Sequence, residues 1–365
     1  MITGHGGNVK ALADRLQCPI DQITDMSSNL NPLGPPPGLV EFIKENIHRI
    51  CSLPDVDASK TVHAFSRYYD IDSDRVIAGN GTTWFIYTLP AALGLKKMLI
   101  SGPTYSDYRD ACIMHSVDYT YSMASREFLF EPDFDRVSEM LSDKSQNIDA
   151  FVLCNPNNPT GSFADQKRII DLLTIHRDII FIIDESYLPF MDDAESISLV
   201  GETNFPNLIV LSSMSKIFRI PGLRTGFLCA DPAIVKRIMA FYQPWSVNAL
   251  AQAAVIYIFE NNEIITPFIE KTRKFIKTEK KKFVNSLKNC NFIRFFDSQT
   301  YFVLAELKNK IKSDKICRYL ADRKILIRDC TNFQGLSDNF IRFSLKTEKE
   351  NKQLAHSLME FNDIV

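Results

Sequence analysis

The stretch Ile179-Ile180-Phe181-Ile182-Ile183-Asp184-Glu185-Ser186-Tyr187 decides the fold. A strand with one wet face alternates polar and apolar side chains, whereas five apolar residues in an unbroken run suit a strand covered on both faces. This run therefore reads as the middle of a sandwiched sheet, and it ends on a carboxylate. Phe151-Val152-Leu153-Cys154 has the same character. Outward from these two, β-rich runs at 75–78, 97–101, 117–121, 148–154, 179–184, 208–212 and 226–230 alternate with longer helical stretches. That alternation predicts an α/β domain of parallel strands with helical crossovers. In such a sheet ligands bind beyond the carboxyl ends of the strands, so the loops after these runs are where chemistry is expected.

After Asp231 the texture changes to long helical stretches, notably 262–288, followed by strands at 301–307, 325–328 and 340–345 and a last helix at 347–361. This predicts a smaller α+β domain. Proline fixes φ, so Pro32-Leu33-Gly34-Pro35-Pro36-Pro37 ends any opening helix and continues as an extended arm. The expected division is an arm over 1–39 packing on the small domain, a large domain over 40–240 and a small domain over 241–365. The charge cluster Lys277 to Lys282 reads as a solvated helix face.

With 365 residues, 45% of them hydrophobic, the chain can bury a sizeable core. A formal net charge of −2 offers no broad basic field for nucleic acid. The Met1-Ile2-Thr3-Gly4 start lacks a signal-peptide pattern, and no apolar run approaches the ~20 residues that span a bilayer. The expectation is a soluble, cytoplasmic protein without nucleic-acid or membrane partners. Eight cysteines with no C-x-x-C pair suggest reduced, buried thiols and no metal.

Four strand ends carry polar or ionisable residues. Gly79-Asn80-Gly81-Thr82-Thr83-Trp84 is a glycine turn running into a helix, with N–H groups and hydroxyls available to a phosphate, although an ordinary threonine cap explains it equally well. Asn155-Pro156-Asn157-Asn158-Pro159-Thr160-Gly161 fixes amide side chains in a stiff turn. Asp184 follows five apolar residues and needs either a cationic partner or an N-cap role. Ser212-Ser213-Met214-Ser215-Lys216 is followed by Arg224, placing a lysine among hydroxyls and an arginine at the mouth of the sheet, where its amine could act as a nucleophile. Jointly these supply what pyridoxal phosphate needs: an amine, a carboxylate for the pyridinium nitrogen, phosphate ligands, and an aromatic plate from Pro103-Thr104-Tyr105-Ser106-Asp107-Tyr108.

On the combined Asn-Asn-Pro-Thr-Gly, Asp-Glu-x-Tyr and Ser-x-x-Ser-Lys motifs with Arg224, the chain resembles the fold-type I pyridoxal phosphate enzymes of the class I/II aminotransferase group over nearly its whole length. The resemblance implies a mainly parallel seven-stranded sheet sandwiched by helices plus a smaller α+β domain. It implies Lys216 as the catalytic residue that bonds the cofactor, Asp184 on the pyridine nitrogen, and Asn158 and Tyr187 on the ring hydroxyl. Tyr105 would stack on the ring, and Gly81, Thr82, Ser213 and Arg224 would hold the phosphate with Thr83 and Ser215 nearby.

Within that group, His5-Gly6-Gly7-Asn8, the 25–34 stretch from Asp25 to Gly34, Pro244-Trp245-Ser246-Val247-Asn248 and the 325–336 stretch resemble the L-threonine O-3-phosphate decarboxylases of cobalamin biosynthesis, relatives of the histidinol-phosphate aminotransferases. Their reaction gives 1-amino-2-propanol phosphate. A phosphoamino acid carries two anions, and Arg328 and Arg342 are the expected pair to grip them, with His5, Gly6 and Asn29 closing from the arm and Asn158 nearby. The chain departs from the pattern at Leu53, where the family usually has a tyrosine that reaches the neighbouring subunit's cofactor, and at Thr82-Thr83-Trp84. L-Serine O-phosphate therefore stays open as substrate, as does transamination of histidinol phosphate or an aromatic amino acid. A regulatory module of this fold needs an added basic DNA reader, whereas here the cofactor motifs begin by Gly79. A homodimer with its sites near the interface is expected.

Overall fold

The computed structural model describes residues 6–202 and 204–364. After the helix Val9–Leu16, the chain forms a two-residue strand, β1 (Thr24–Asp25). The chain then passes the proline segment and several short helices before the central sheet. That sheet consists of β2 (Val76–Gly79), β3 (Lys97–Gly102), β4 (Asp118–Met123), β5 (Ala150–Cys154), β6 (Ile180–Asp184), β7 (Leu208–Ser213) and β8 (Gly226–Ala230). The spatial order is β2-β8-β7-β6-β5-β3-β4. β5, β7 and β8 are buried at every residue, as unbroken apolar runs require, while the edge strand β4 is largely open to solvent.

Six strands are mutually parallel, but β8 pairs antiparallel with both β2 and β7. The alternation rule predicted parallel pairing there too. The reason for the difference is the short link from Ser213 to Gly226: a one-turn helix, Met214–Ile217, and a 3₁₀ turn, Pro221–Leu223, which return the chain to the edge it left. One consequence is that Arg224, just before β8, arrives at the same edge as the carboxyl ends of the other six strands.

Beyond β8 the helices Pro232–Met239, Ala249–Glu260 and Asn262–Ser286 follow. Asp231 caps the first through the Ala233 N–H, and Asn248 caps the second through the Ala251 N–H. Ile265, Phe268, Ile269 and Ile276 of the long helix pack into the core of the central sheet, whereas Phe283 belongs to a second core with Val303, Phe343 and Leu358. The second core rests on an antiparallel sheet of β9 (Ile293–Phe295), β10 (Phe302–Leu307), β12 (Arg328–Asp329) and β13 (Phe340–Ser344). The single strand expected at 325–328 is split: β11 (Ile325–Leu326) pairs with β1, and only β12 joins the antiparallel sheet. Leu12 and Ala13 of the first helix pack on Ala321, so the opening segment leans on the second core's side of the molecule.

The cluster from Lys277 to Lys282 is not uniformly solvated. Glu279 is buried and accepts hydrogen bonds from Lys282 Nζ at 2.9 Å and Asn351 Nδ2 at 3.2 Å. Lys280 Nζ donates to the Ser298 carbonyl. The last turns of this helix lie against the closing helix Glu348–Asn362, and that packing desolvates one of its charged faces. Among the described residues no helix is long and apolar enough to cross a membrane.

Candidate active site

The loops at the carboxyl edge of the sheet surround a cavity of ≈ 250 Å³. Gly6, Asn29, Tyr105, Asn158, Tyr187, Lys216, Arg328 and Arg342 share its walls. Lys216 sits in the one-turn helix after β7, where Ser213 Oγ accepts from the Ser215 N–H at 3.3 Å. The arm braces this turn: the Asn31 N–H donates to the Lys216 carbonyl at 3.2 Å, and Asn31 Nδ2 to the Ile217 carbonyl at 2.7 Å. Burial lowers the Lys216 ammonium to about 8, and Arg224 pushes the same way while Asp184 opposes both. A neutral, nucleophilic amine is therefore accessible near neutral pH, which an ordinary lysine does not offer.

Asp184 ends β6 with its carboxylate buried and bonded on both oxygens, to the Ser186 N–H at 2.9 Å and to Tyr108 Oη at 2.8 Å. Tyr187 lies 6.0 Å from Lys216 Nζ, measured to the ring centre, and its Oη accepts from Asn29 Nδ2 at 3.2 Å. Burial raises the Tyr187 phenol, so it stays protonated and able to donate. The asparagine turn is tied down by Asn157, which accepts from Thr104 Oγ1 at 2.7 Å and donates to the Pro103 carbonyl at 2.8 Å. Asn158 Oδ1 accepts from Arg342 Nη1.

Beside the cavity the helix Gly81–Ala92 begins without a side-chain cap, leaving its first N–H groups available. Gly81 has φ +73°, and a Cβ there would lie 2.8 Å from Arg224 Nη2. Glycine thus lets the guanidinium close over the helix start. Arg224 Nη2 also reaches Thr83 Oγ1 at 3.4 Å. Thr82 stands in the same first turn, and Ser213 and Ser215 are buried on the lysine side.

Arg328 and Arg342 face each other in register across β12 and β13. Arg342 is buried and donates from Nη2 to the Ser27 carbonyl at 2.7 Å, while its Nε is buried without a hydrogen-bond partner among the described residues. Arg328 donates to Asn332 Oδ1 at 2.6 Å and lies 5.2 Å from the Phe333 ring centre. Gly6 closes on the arm, since a Cβ there would stand 2.5 Å from the Ser27 carbonyl oxygen. His5, expected beside it, lies outside the described residues. Leu53 is 75% exposed and is not among the cavity's lining residues.

Several residues in this arrangement carry no motif signal of their own. Tyr108 lies in the first turn of the helix Asp107–Met114 while Tyr105 precedes that helix, so no helical spacing marks the two as neighbours at the sheet edge. Asn31, Ser27 and Asn332 sit inside the quoted stretches but act through backbone geometry that spacing does not reveal. The donor set fits a phosphorylated pyridine aldehyde: a glycine cradle with an arginine for the phosphate, a buried carboxylate for a protonated ring nitrogen, and an amine of lowered pKa between them.

The chain belongs to the aminotransferase class I and II family, whose model matches residues 21–358. It is 32% identical over 351 residues to the adenosylcobalamin biosynthesis bifunctional protein CobDQ of Leptospira interrogans, covering 96% of this chain but 40% of that longer protein. The crystal structure of a histidinol-phosphate aminotransferase from Clostridium acetobutylicum is 31% identical with a TM-score of 0.86, covering 94% of this chain and 100% of that one. That of L-threonine-O-3-phosphate decarboxylase from Porphyromonas gingivalis is 28% identical with a TM-score of 0.82, covering 93% of this chain and 100% of that one.

Proposed function

We propose that this chain is a pyridoxal phosphate-dependent decarboxylase that converts L-threonine O-3-phosphate to (R)-1-amino-2-propanol O-2-phosphate and carbon dioxide, for cobalamin or a related cobamide. The observation that carries the reading is the facing pair Arg328 and Arg342 in the cavity wall that also holds Lys216. Two guanidinium groups suit a substrate with a carboxylate and a phosphate, beyond the arginine committed to the cofactor. The likeness to a cobalamin-pathway protein and to a threonine-phosphate decarboxylase supports the same reading.

When bound at Lys216, pyridoxal phosphate supplies an electron sink conjugated to the substrate Cα. Arg224, the Gly81 turn and Thr82 would hold the phosphate end, and Tyr105 would lie beside the ring. Asp184 would keep a proton on the ring nitrogen, its carboxylate fixed in orientation by two donors. Asn158 and Tyr187 would hydrogen-bond the ring oxygen. Arg328 and Arg342 bind the two substrate anions and thereby choose which Cα bond is held for cleavage; a decarboxylase presents the bond to the carboxylate. Lys216 Nζ, with its pKa lowered to about 8, then returns a proton to Cα after carbon dioxide leaves.

The likeness to a histidinol-phosphate aminotransferase favours a second reading, in which the Cα hydrogen is the group removed. L-Serine O-phosphate differs from the proposed substrate by one methyl, worth about 1 to 3 kcal/mol of discrimination. The test is to supply the loaded protein with L-threonine O-3-phosphate, L-serine O-phosphate and histidinol phosphate in parallel. Carbon dioxide release without a keto product, fastest on threonine phosphate, supports the proposal; a keto product without carbon dioxide assigns the aminotransferase.

We further infer a cytoplasmic location and a homodimer; the exposed Ile50, Leu53 and Trp245 side chains support the dimer, since a second copy would cover them. A sedimenting monomer at micromolar concentration would count against it.

A further inference from the structure

Lys346 is a buried cation that the mechanism above does not use. It is 5% exposed, two residues beyond the end of β13, and its Nζ donates to the Ser28 carbonyl at 3.0 Å. The alternate side chains of this stretch form a row. Arg342 Nη2 holds the Ser27 carbonyl, Ser344 Oγ donates to Asn29 Oδ1 at 2.7 Å, and Lys346 holds the Ser28 carbonyl. Period-two spacing places Arg342 and Ser344 on one face of β13, and Lys346, two residues past its end, continues the row toward the arm. They grip three consecutive residues of the arm.

The arm segment is also tied within itself. Asp25 Oδ1 accepts from the Ser27 N–H at 2.9 Å, Ser27 Oγ at 2.7 Å and the Ser28 N–H at 3.2 Å, and Oδ2 accepts from Ser28 Oγ. Two connections lead from this turn into the cavity. Asn29 Nδ2 reaches Tyr187 Oη, and Ser27 Oγ accepts from the Gly7 N–H at 2.7 Å, beside the glycine that lines the cavity.

We propose that Lys346 is a positioning residue for substrate: together with Ser344 it locks the turn from Asp25 to Asn29 onto β13, so that the arm's wall of the cavity is preformed. The ammonium is held there by more than its hydrogen bond. Burial lowers its pKa to about 8, Asp25 and Glu350 attract it, and Arg219 and Arg342 repel it. A cation kept against two arginines and desolvation needs the carbonyl and the Asp25 turn as its counterweight. Removing it leaves the Ser28 carbonyl without its donor and frees the turn that presents Asn29.

The proposal rests on the phosphoamino acid reading of the cavity, so its test has one arm that needs no turnover. Hydrogen exchange of the unloaded protein is compared for wild type, Lys346→Met and Ser344→Ala. The expected result is about tenfold faster exchange at the Ser27, Ser28 and Gly7 amides in both variants, with the amides of β5 unchanged. In the loaded enzyme, Lys346→Met is expected to raise KM for threonine phosphate about tenfold while kcat moves less than about threefold. The double variant should cost less than the product of the single effects, because both side chains act through one turn. Unchanged exchange at these amides overturns the proposal whatever the enzyme's activity, and so does faster exchange with KM unmoved or with multiplicative single effects. Absence of any turnover in wild type would instead refute the decarboxylase reading, leaving the exchange arm to judge the locked turn.

Discussion

Tyr108 Oη donates to Asp184 Oδ2 at 2.8 Å, and the Ser186 N–H occupies the other oxygen, so the carboxylate proposed to meet the cofactor's ring nitrogen is fixed in orientation before anything binds. The phenol comes from the helix Asp107–Met114 after β3, and the carboxylate from the end of β6. Burial and the neighbouring Asp184 raise the Tyr108 phenol well above its ordinary value, so it acts only as a donor. Tyr108→Phe removes that donor without changing the ring's volume. A hydrogen bond to a charged group contributes about 1.5 to 3 kcal/mol, so pyridoxal phosphate should bind about tenfold more weakly or worse. Equilibrium titration of the unloaded protein reads this directly, and unchanged affinity would show that Ser186 alone orients the carboxylate.

The lowered pKa of Lys216 makes a kinetic statement. Only the neutral amine attacks an aldehyde, so covalent capture of pyridoxal phosphate by the unloaded protein should accelerate with a midpoint near pH 8, where an ordinary lysine would still be almost wholly charged. Stopped-flow absorbance across pH 6 to 10.5 gives the midpoint; a profile still rising at the top of that range would refute the burial argument. Lys216→Met should abolish borohydride-fixed incorporation while leaving the fold intact.

Linkage gives the same lysine a thermodynamic signature. Its folded pKa is depressed to about 8 against an unfolded value near 10.5, so between those limits the unfolded chain binds more protons and stability rises with pH. Lys346, lowered by burial to a similar value, adds to the slope in the same window. Below about pH 8 both are charged in either state and their slope vanishes. In urea unfolding of the unloaded protein at pH 8 and pH 10, the change in stability should therefore be less favourable for Lys216→Met and for Lys346→Met than for wild type. The cysteines whose thiols burial raises oppose the lysines in this window, but they do so equally in all three proteins and cancel in the comparison.

Sequence patterning revealed the central sheet because runs such as Ile179 to Ile183 are short, rich in β-branched residues, apolar on both faces and repeated between helical stretches. The same logic could not reveal that β8 runs backwards, since direction depends on where the 214–225 link ends rather than on the strand's own residues. On the small-domain side, 325–328 looks like one strand, but Thr24 pairs with Ile325 while Arg328 pairs with Arg342, and which neighbour each residue meets is a tertiary fact. The residues proposed to hold the cofactor were legible as candidates because their chemistry is conspicuous after an apolar strand. Tyr108, Asn31 and Lys346 were not, because each acts by holding another residue in place, and nothing in its local sequence distinguishes it from packing.

Gly81 tests the phosphate cradle with a single methyl. Its φ of +73° disfavours any side chain, and a Cβ would lie 2.8 Å from Arg224 Nη2, so alanine must displace the guanidinium as well as strain the turn. The backbone term alone should cost about 1 to 2 kcal/mol of stability. The displaced arginine should separate the two ends of the cofactor: affinity of Gly81→Ala for pyridoxal phosphate should fall by more than tenfold, whereas its affinity for pyridoxal, which has no phosphate, should be nearly unchanged. Equal losses for both ligands would place the phosphate elsewhere.

Arg328 and Arg342 face each other but are held differently, and that asymmetry orders their variants. Arg342 grips Asn158 and the Ser27 carbonyl from a buried position, with Nε left over inside the cavity wall. Lysine there keeps the charge but cannot span both partners, so Arg342→Lys should disturb the cofactor turn and the arm together and cut kcat/KM by about a hundredfold or more. Arg328 is half-buried, lies beside the Phe333 ring and donates to Asn332 Oδ1. Arg328→Lys should therefore act chiefly on KM, by about tenfold, because a point charge still attracts one substrate anion even after the planar fork is lost. If instead the two variants lose activity equally, with the same split between kcat and KM, the pair works as one symmetric anion clamp and the distinction drawn from their burial fails.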